Sequence, residues 1–587
     1  MKDFLKFTLA SIVGMIIVGL LMLLILIGVV TSIITSGDQV ASIESNSVLY
    51  LPFDSRIIER GTNNPLDEID IPGLKGSKKT GLNDILSCIK KAKTDDKIKG
   101  IYLHPTDISA GVATVEEIRN ALIDFRKSGK FVYAYGEFLS QKAYYLVTAA
   151  DKVVLNPQGS IDFRGLGGER NFYKKGLDKL GVEIQVVRHG KFKSYVESYT
   201  RENMSEENRE QTREYLKGVW DEMLRDISEA RGVSVDELNT TANQVGTFRK
   251  GDFALKNKLV DDLKYFDQVL DDLKELTGTN PKKDLKTVEI ARYKKVPATQ
   301  SKSLIRNKIA VVYATGEIDG FDDDGIKSDE LSKAIRAARR DSTVKAIVLR
   351  INSPGGSAYG AEVIWREVKL ATEAKPVVVS MSDVAASGGY YIAAAADTII
   401  ADRTTITGSI GIFGMIPNAG ELLNDKLGIT QDVVTTNDHS DMPSLTRKMT
   451  PFEQDLMQNM VEEGYDTFIS RVADGRKMTK AEVDEIGQGH VWASVKAKEI
   501  GLVDLYGGIT EAVELAKKMA GIEDCRISEY PKQKDPFEEL VKQLTGSVKM
   551  KFIKSELGEN YHYYEMLKNA MNTKGILARM PYDILIN

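Results

Sequence analysis

Thiols and imidazoles are scarce in this chain: 587 residues carry two cysteines and five histidines. Cys88 and Cys525 cannot build a disulfide framework, and no histidines pair at a metal-ligand spacing, which argues against a zinc hydrolase. Cys88 reads as a buried apolar filler on a helix. A sustained Lys/Arg stripe is missing too, and the net charge is -5, so there is no electrostatic footprint for nucleic acid. What remains is the composition of a folded protein, 42% hydrophobic and 28% charged, too long for one ordinary domain.

Charge itself is absent in one place. From Phe7 to Ile34 run 28 residues without a charged side chain, which as a helix would be about 42 Å long and would cross a hydrocarbon core of about 30 Å. The sequence predicts a single transmembrane anchor, since no other stretch matches this one in length and apolarity. Lys2 and Lys6 precede it, and Asp38 and Glu44 follow. The positive-inside bias, weakened by Asp3, puts the amino terminus in the cytoplasm and the rest of the chain across the membrane. A cleaved signal peptide is the alternative: Thr35-Ser36-Gly37 offers small residues for a cut, although such peptides usually have an apolar region of about 7 to 15 residues.

Beyond the anchor the chain repeats itself. Ile98-Lys99-Gly100-Ile101-Tyr102-Leu103 recurs as Val344-Lys345-Ala346-Ile347-Val348-Leu349, 246 positions later. The same offset sets Tyr144-Tyr145 and Asp151 over Tyr390-Tyr391 and Asp397, and Leu259-Val260-Asp261 answers to Leu502-Val503-Asp504. Each copy alternates β-branched strands with amphipathic helices, which predicts helices covering a mostly parallel sheet. In the first copy Leu216, Val219, Trp220, Met223, Leu224 and Ile227 share a helical face between Ser205 as cap and Gly232 as stop. In the second, Thr450-Pro451-Phe452-Glu453 opens a helix with Met457, Met460, Val461 and Phe468 on its stripe. The expected organisation is a cytoplasmic stub and anchor at 1–36, a first repeat at 47–279, a charged linker at 280–303, a second repeat at 304–524 and a tail at 525–587.

The chemistry lies where the copies differ. Val384-Ala385-Ala386-Ser387-Gly388-Gly389-Tyr390-Tyr391 follows a β-branched run, Pro376 to Met381, and precedes an Ala-rich run that reads as helix. Small neighbours leave room for a substrate backbone beside the serine hydroxyl, and the N–H groups that follow point at the same spot. Alone, the octapeptide fits a tight turn without chemistry equally well. Its counterpart, however, has Gln141 under Ser387 and Lys142-Ala143 under the glycine pair, and Asn352-Ser353-Pro354-Gly355-Gly356-Ser357 answers to Pro105 to Ala110 without paired glycines. Conversely, Gly190-Lys191-Phe192-Lys193-Ser194 lies over Asn437 to Asp441, where no lysine stands. One copy keeps a serine and the other a lysine. A serine hydroxyl needs a base, either histidine or a lysine whose pKa burial has lowered. His104, His189, His439, His490 and His562 stand in no recognisable relation to Ser387, which favours the lysine. Gly355-Gly356 and Gly388 offer backbone N–H groups to an oxyanion.

Asn352 to Ser357, Met381 to Tyr391, Thr407-Gly408-Ser409-Ile410-Gly411-Ile412-Phe413-Gly414, Gly190 to Ser194, and Val491-Trp492 with Gly501 to Asp504 together resemble the protease IV family in its long tandem-repeat form. The likeness runs from about Ser47 to Pro581-Tyr582-Asp583 and includes the anchor. It implies an α/β fold, a tandem duplication of a Clp protease/crotonase-like unit behind one amino-terminal transmembrane helix. It implies Ser387 as nucleophile, Lys193 rather than Lys191 as general base, Ser409 as the hydroxyl that positions the lysine amine, and Gly355 or Gly356 with Gly388 as the oxyanion hole. No metal or other cofactor is implied. The implied task is endoproteolysis of signal peptides and other apolar peptides left in the membrane after secretory precursors are processed. The implied enzyme is a homotetramer in the inner (cytoplasmic) membrane with its catalytic domain in the periplasm. Ile410, Ile412, Phe413 and Met415 are candidates for the wall of an apolar groove, with core packing as the alternative for each. Two rival readings are a non-catalytic membrane-anchored scaffold on the same fold, and acyl-CoA chemistry, which calls for acidic catalytic groups. In the tail, Leu540, Val541 and Leu544 among Lys542, Lys549 and Lys551 make the stretch from Phe537 to Phe552 a candidate helix against the membrane or a neighbouring subunit.

Overall fold

The structure, a computed structural model, describes residues 6–8, 10–19, 21, 42–62, 78–297, 305–320, 325–533 and 576–580. Much of the expected anchor, and all of the tail stretch 537–552, lie outside these residues. Among the described residues no helix is long and apolar enough to cross a membrane.

The first unit contributes strands β1 (Ser47–Leu51), β2 (Arg56–Ile58), β3 (Lys79–Gly81), β4 (Ile98–Leu103), β5 (Phe131–Leu139), β6 (Lys152–Ile161), β7 (Glu183–Arg188), β8 (Asp262–Leu263) and β9 (Thr287–Glu289). The second contributes β10 (Lys308–Thr315), β11 (Val344–Ser353), β12 (Gly355–Ser357), β13 (Val377–Ala386), β14 (Thr398–Ala401), β15 (Ile406–Gly408), β16 (Phe413–Asn418), β17 (Val491–Ala493), β18 (Leu505–Tyr506) and β19 (Arg526–Tyr530), and β20 (Ile576–Arg579) follows. The first sheet runs β8-β6-β5-β4-β1-β9, all parallel. The second has eight strands: the parallel path β18-β14-β13-β11-β10-β19 repeats the order of the first, and β13 also pairs parallel with β15, which pairs antiparallel with β17. The recurring hexapeptides are β4 and the start of β11, and their near-continuous apolar residues suit strands covered on both faces. Both edge strands, β9 and β19, fall in stretches read from sequence as linker and tail, because each is too short to show a period of its own.

The helices follow their signals. Ser205 caps the helix Glu206–Arg231 through the Asn208 N–H, and Gly232 ends it in the left-handed region at φ 61°. Thr450 and Glu453 form the capping box of Pro451–Arg476. Met460 departs from expectation at 46% exposure, because the buried stripe runs through Met457, Val461, Tyr465, Phe468 and Val472 and leaves it on the margin. Cys88 is buried on the helix Leu82–Thr94, and burial pushes its thiol up to about 12.

The two units interlock. Strand β7 of the first pairs antiparallel with β16 of the second over six residues. Ala386, Ile406, Val491 and Ala493 of the second unit lie in the apolar core of the first. Arg350, fully buried, bonds Glu59 at 2.7 Å, Ser380 at 2.8 Å and Ser382 at 2.9 Å, and pairs with Glu117. Asp383 accepts from the Thr114 N–H at 2.9 Å and its hydroxyl at 2.8 Å, so charge as well as apolar contact joins the halves.

Candidate active site

Strand β13 delivers Ser387. The chain leaves the strand at Ala386, and Ser387 takes φ 55° and ψ -116° before the helix Gly388–Ala393 begins. A non-glycine residue at positive φ is strained, and the strain is held by the Ser387 N–H donating to Gly408 O and the Tyr391 N–H donating to Ser387 O, both at 2.8 Å. The glycines beside it are needed for space: a Cβ on Gly389 would stand 2.7 Å from the Ser353 carbonyl oxygen. The side chain of Ser387 is fully buried.

The loop after β7 delivers Lys193. Gly190 sits at φ 94°, where a Cβ would meet the Gln488 carbonyl oxygen at 2.4 Å, and the Phe192 N–H donates to that same carbonyl at 3.0 Å. The loop is thereby pressed onto the segment Gln488–Gly489 of the second unit. Lys193 Nζ lies 2.8 Å from Ser387 Oγ, 3.0 Å from Ser409 Oγ and 3.0 Å from Ser409 O. Burial pushes this amine well below the ordinary lysine range. Lys191, by contrast, is exposed. Ser409 is itself at φ 51°, with its N–H donating to the His490 carbonyl at 2.6 Å. The three residues that sequence reading selected therefore meet in one chain.

A polar layer behind the lysine went unread in the sequence. Gln211 Nε2 donates to Phe192 O at 3.0 Å and Ser194 Oγ at 2.9 Å, while its Oε1 accepts from the Val491 N–H at 3.1 Å. Asn208 accepts from Ser194 Oγ at 3.0 Å and donates to Glu197 at 2.8 Å. One helix thus ties the lysine loop to β17, which pairs with β15 beside Ser387. The signal was the polar pair Asn208 and Gln211 continuing the apolar face of Tyr215 and Val219.

Gly355, at φ 102°, packs on Gly388: a Cβ added to it would stand 2.8 Å from the Gly388 nitrogen. Gly356, at φ 150°, faces Ile318, whose carbonyl oxygen a Cβ would meet at 2.2 Å. The expected groove residues divide. Ile410 and Ile412 pack in the core of the second unit, whereas Phe413 and Met415 cluster with Leu177, Ile184, Tyr195 and Val196 of the first, beside Leu577. The described histidines have partners elsewhere. His104, His189, His439 and His490 lie against Glu137, Glu462, Glu453 and Glu214, and burial pushes the His490 ring down to about 4.

The chain matches Peptidase family S49 twice, over residues 124–280 and 369–523. It is 39% identical to Protease 4 of Salmonella typhi over 80% of this chain and 77% of that protein. It is 34% identical to Protease 4 of Haemophilus influenzae over 86% and 84%, and 35% identical to the chloroplastic serine protease SPPA of Arabidopsis thaliana over 74% and 64%. Among solved structures, a ClpP1 mutant from Listeria monocytogenes aligns with 35% of this chain and 94% of its own at 16% identity and a TM-score of 0.24, too slight a likeness to bear on the fold. With two matched domains and relatives aligned along most of its length, the chain belongs to peptidase family S49.

Proposed function

We propose that the chain is a serine endopeptidase whose nucleophile, Ser387, is activated by Lys193 from the other repeat. The observation that carries this is the fully buried amine 2.8 Å from the serine hydroxyl. A neutral lysine has two N–H groups and one lone pair. With the N–H groups donated to Ser409 O and Oγ, the lone pair faces the Ser387 hydroxyl and can take its proton. Ser387 Oγ then bonds the substrate carbonyl carbon while the backbone N–H groups of Gly356 and Gly388 hold the oxyanion, the Gly355 N–H being donated to Ser353 Oγ at 3.1 Å. Lys193 returns the proton to the leaving amine, the peptide C–N bond breaks, and water attacks the acyl-enzyme by the same proton path.

The substrate class follows from setting. Residues 7–34 anchor the chain in the inner membrane with the amino terminus cytoplasmic, and the site, assembled in a homotetramer, meets apolar peptides on the far side, remnant signal peptides among them. The test is cleavage of a fluorogenic signal-sequence peptide and a polar peptide of equal length by the detergent-extracted chain, beside Ser387→Ala. Preferential cleavage of the apolar peptide, absent from the variant, is expected. No cleavage of either by the wild-type chain returns the scaffold reading to the front.

A further inference from the structure

The lysine loop is gripped by a helix of the other repeat. Strand β7 ends at Arg188, and His189 is the one residue between it and the run Gly190 to Ser194. The His189 N–H donates to the Ile412 carbonyl at 3.1 Å. Its ring lies flat on Tyr465 of the helix Pro451–Arg476, with ring centres 3.8 Å apart and planes 18° from parallel. From the same helix Glu462 meets His189 Nδ1 at 2.6 Å, and Gln458 donates to Glu462 at 2.7 Å and to the Arg188 carbonyl at 3.2 Å. His189 Nε2 is enclosed without a hydrogen-bond partner among the described residues. The ring is held by one face and one edge.

Tyr465 also sets the wall on the far side of the loop. Its hydroxyl donates to Asp484 at 2.6 Å and accepts the Gln488 N–H at 3.2 Å. Gln488, at φ 53°, is the residue whose carbonyl takes the Phe192 N–H. A Cβ on the next residue, Gly489, would stand 2.6 Å from the Lys193 nitrogen. One tyrosine thus touches the start of the loop with its ring and fixes the surface behind it with its hydroxyl. The other copy lacks both parts: Val219 answers to Tyr465 at the offset of 246, and Thr436 precedes the run Asn437 to Asp441 as His189 precedes Gly190. The stack occurs only beside the lysine.

We propose that His189 is a positioning residue for the reaction, its ring stacked on Tyr465 to clamp the Lys193 loop against the second repeat and keep the amine in a site closed to water beside Ser387. The proposal deepens the peptidase reading and rests on it for the role of Lys193. Nζ itself bonds Ser387 and Ser409, and both Lys193 and Ser387 are fully buried. The charged groups around the clamp are Glu462, Asp484 and Arg188, which donates to the Lys193 carbonyl at 3.3 Å. Without the ring the loop can draw away from Gln488, and water reaches the amine. Hydration restores the ammonium, so the pKa climbs back toward the ordinary lysine range and less of the base is neutral near pH 7.

The test compares full-length chains carrying His189→Ala, His189→Phe and Tyr465→Leu by two measurements across pH. One is kcat and KM on an apolar fluorogenic peptide. The other, made with Ser387→Ala in every chain, is the rate of Lys193 acetylation by trace acetic anhydride, read by mass spectrometry, which follows the amine without turnover. His189→Ala is expected to lose about 10²-fold in kcat near neutral pH with little change in KM. The inflection of both profiles is expected to move up by about one pH unit or more. His189→Phe keeps a ring on Tyr465 and is expected to return kcat and both inflections to near wild type. A His189→Ala chain whose inflections stay at the wild-type position overturns the proposal, whatever its melting temperature, and so does a His189→Phe chain as impaired as His189→Ala. Should His189→Ala fail to fold, Tyr465→Leu removes the same stack from the other side; its inflections are expected to move upward, and unmoved ones overturn the proposal. If no chain cuts the peptide while the acetylation inflection moves, the peptidase reading fails and the clamp stands.

Discussion

Lys193 bonds two hydroxyls and a carbonyl, and its environment costs a charged amine its hydration without supplying a counter-ion among those contacts. That is the setting in which a lysine serves as a base rather than as an ion-pair partner. The glycines opposite are equally constrained. In Gly356→Ala the new methyl meets the Ile318 carbonyl, the backbone leaves φ 150°, and in the proposed mechanism an oxyanion donor moves. A loss of about 10²- to 10³-fold in kcat, with little change in KM, is expected from peptide kinetics; an unchanged kcat would remove Gly356 from the site. Ser387, Lys193 and the glycines were readable because each sits in a short run whose counterpart in the other repeat lacks it, whereas Ser409 answers to Ser160 and was readable only through the family likeness of the run around it. The place of β20 was not, because a four-residue strand carries no period and its partners β12 and β16 lie far away in sequence.

Between the residues and the whole stands the helix Glu206–Arg231. Its sequence showed the apolar stripe and both caps but assigned nothing to Asn208 and Gln211; a helical period cannot tell a polar residue facing water from one facing a buried loop. Gln211 satisfies three groups at once. Gln211→Leu leaves the Phe192 carbonyl and the Val491 N–H without this partner, while Ser194 Oγ keeps Asn208, at a cost on the order of 2–3 kcal/mol. A lower denaturation midpoint together with a lower kcat is expected, since the Lys193 loop loses its tie to β17. A variant that loses stability while kcat holds would show the layer to be structural only.

For the whole molecule, the sequence offset of 246 residues correctly announced two copies of one sheet, but nothing in it showed how they lock together. The joint is acidic. Asp402 is 1% exposed, and burial, reinforced by Glu117 and Glu116, pushes its carboxyl well above the ordinary range. A carboxyl that holds its proton more tightly folded than unfolded makes stability fall as pH rises from the ordinary carboxylate range toward its folded pKa. Melting temperatures of the wild type, relative to Asp402→Asn, should therefore fall as pH rises above the ordinary carboxylate range; a constant difference would contradict the assignment. Because both members of the proposed dyad meet within one chain, a mixture of Ser387→Ala and Lys193→Ala chains is expected to stay inactive, and recovered activity would mean the repeats exchange between chains.

The measurement that bears most directly on the division of labour between the repeats is kcat/KM for an apolar peptide against pH, with wild type and Lys193→Ala side by side. A base must be neutral to accept the serine proton, so activity rises with pH through the lysine's own pKa. Wild type should rise through a single ionisation below the ordinary lysine range and then level, while Lys193→Ala should be inactive at every pH. A Lys193→Ala chain that keeps its activity and the same rise would show that another group activates Ser387.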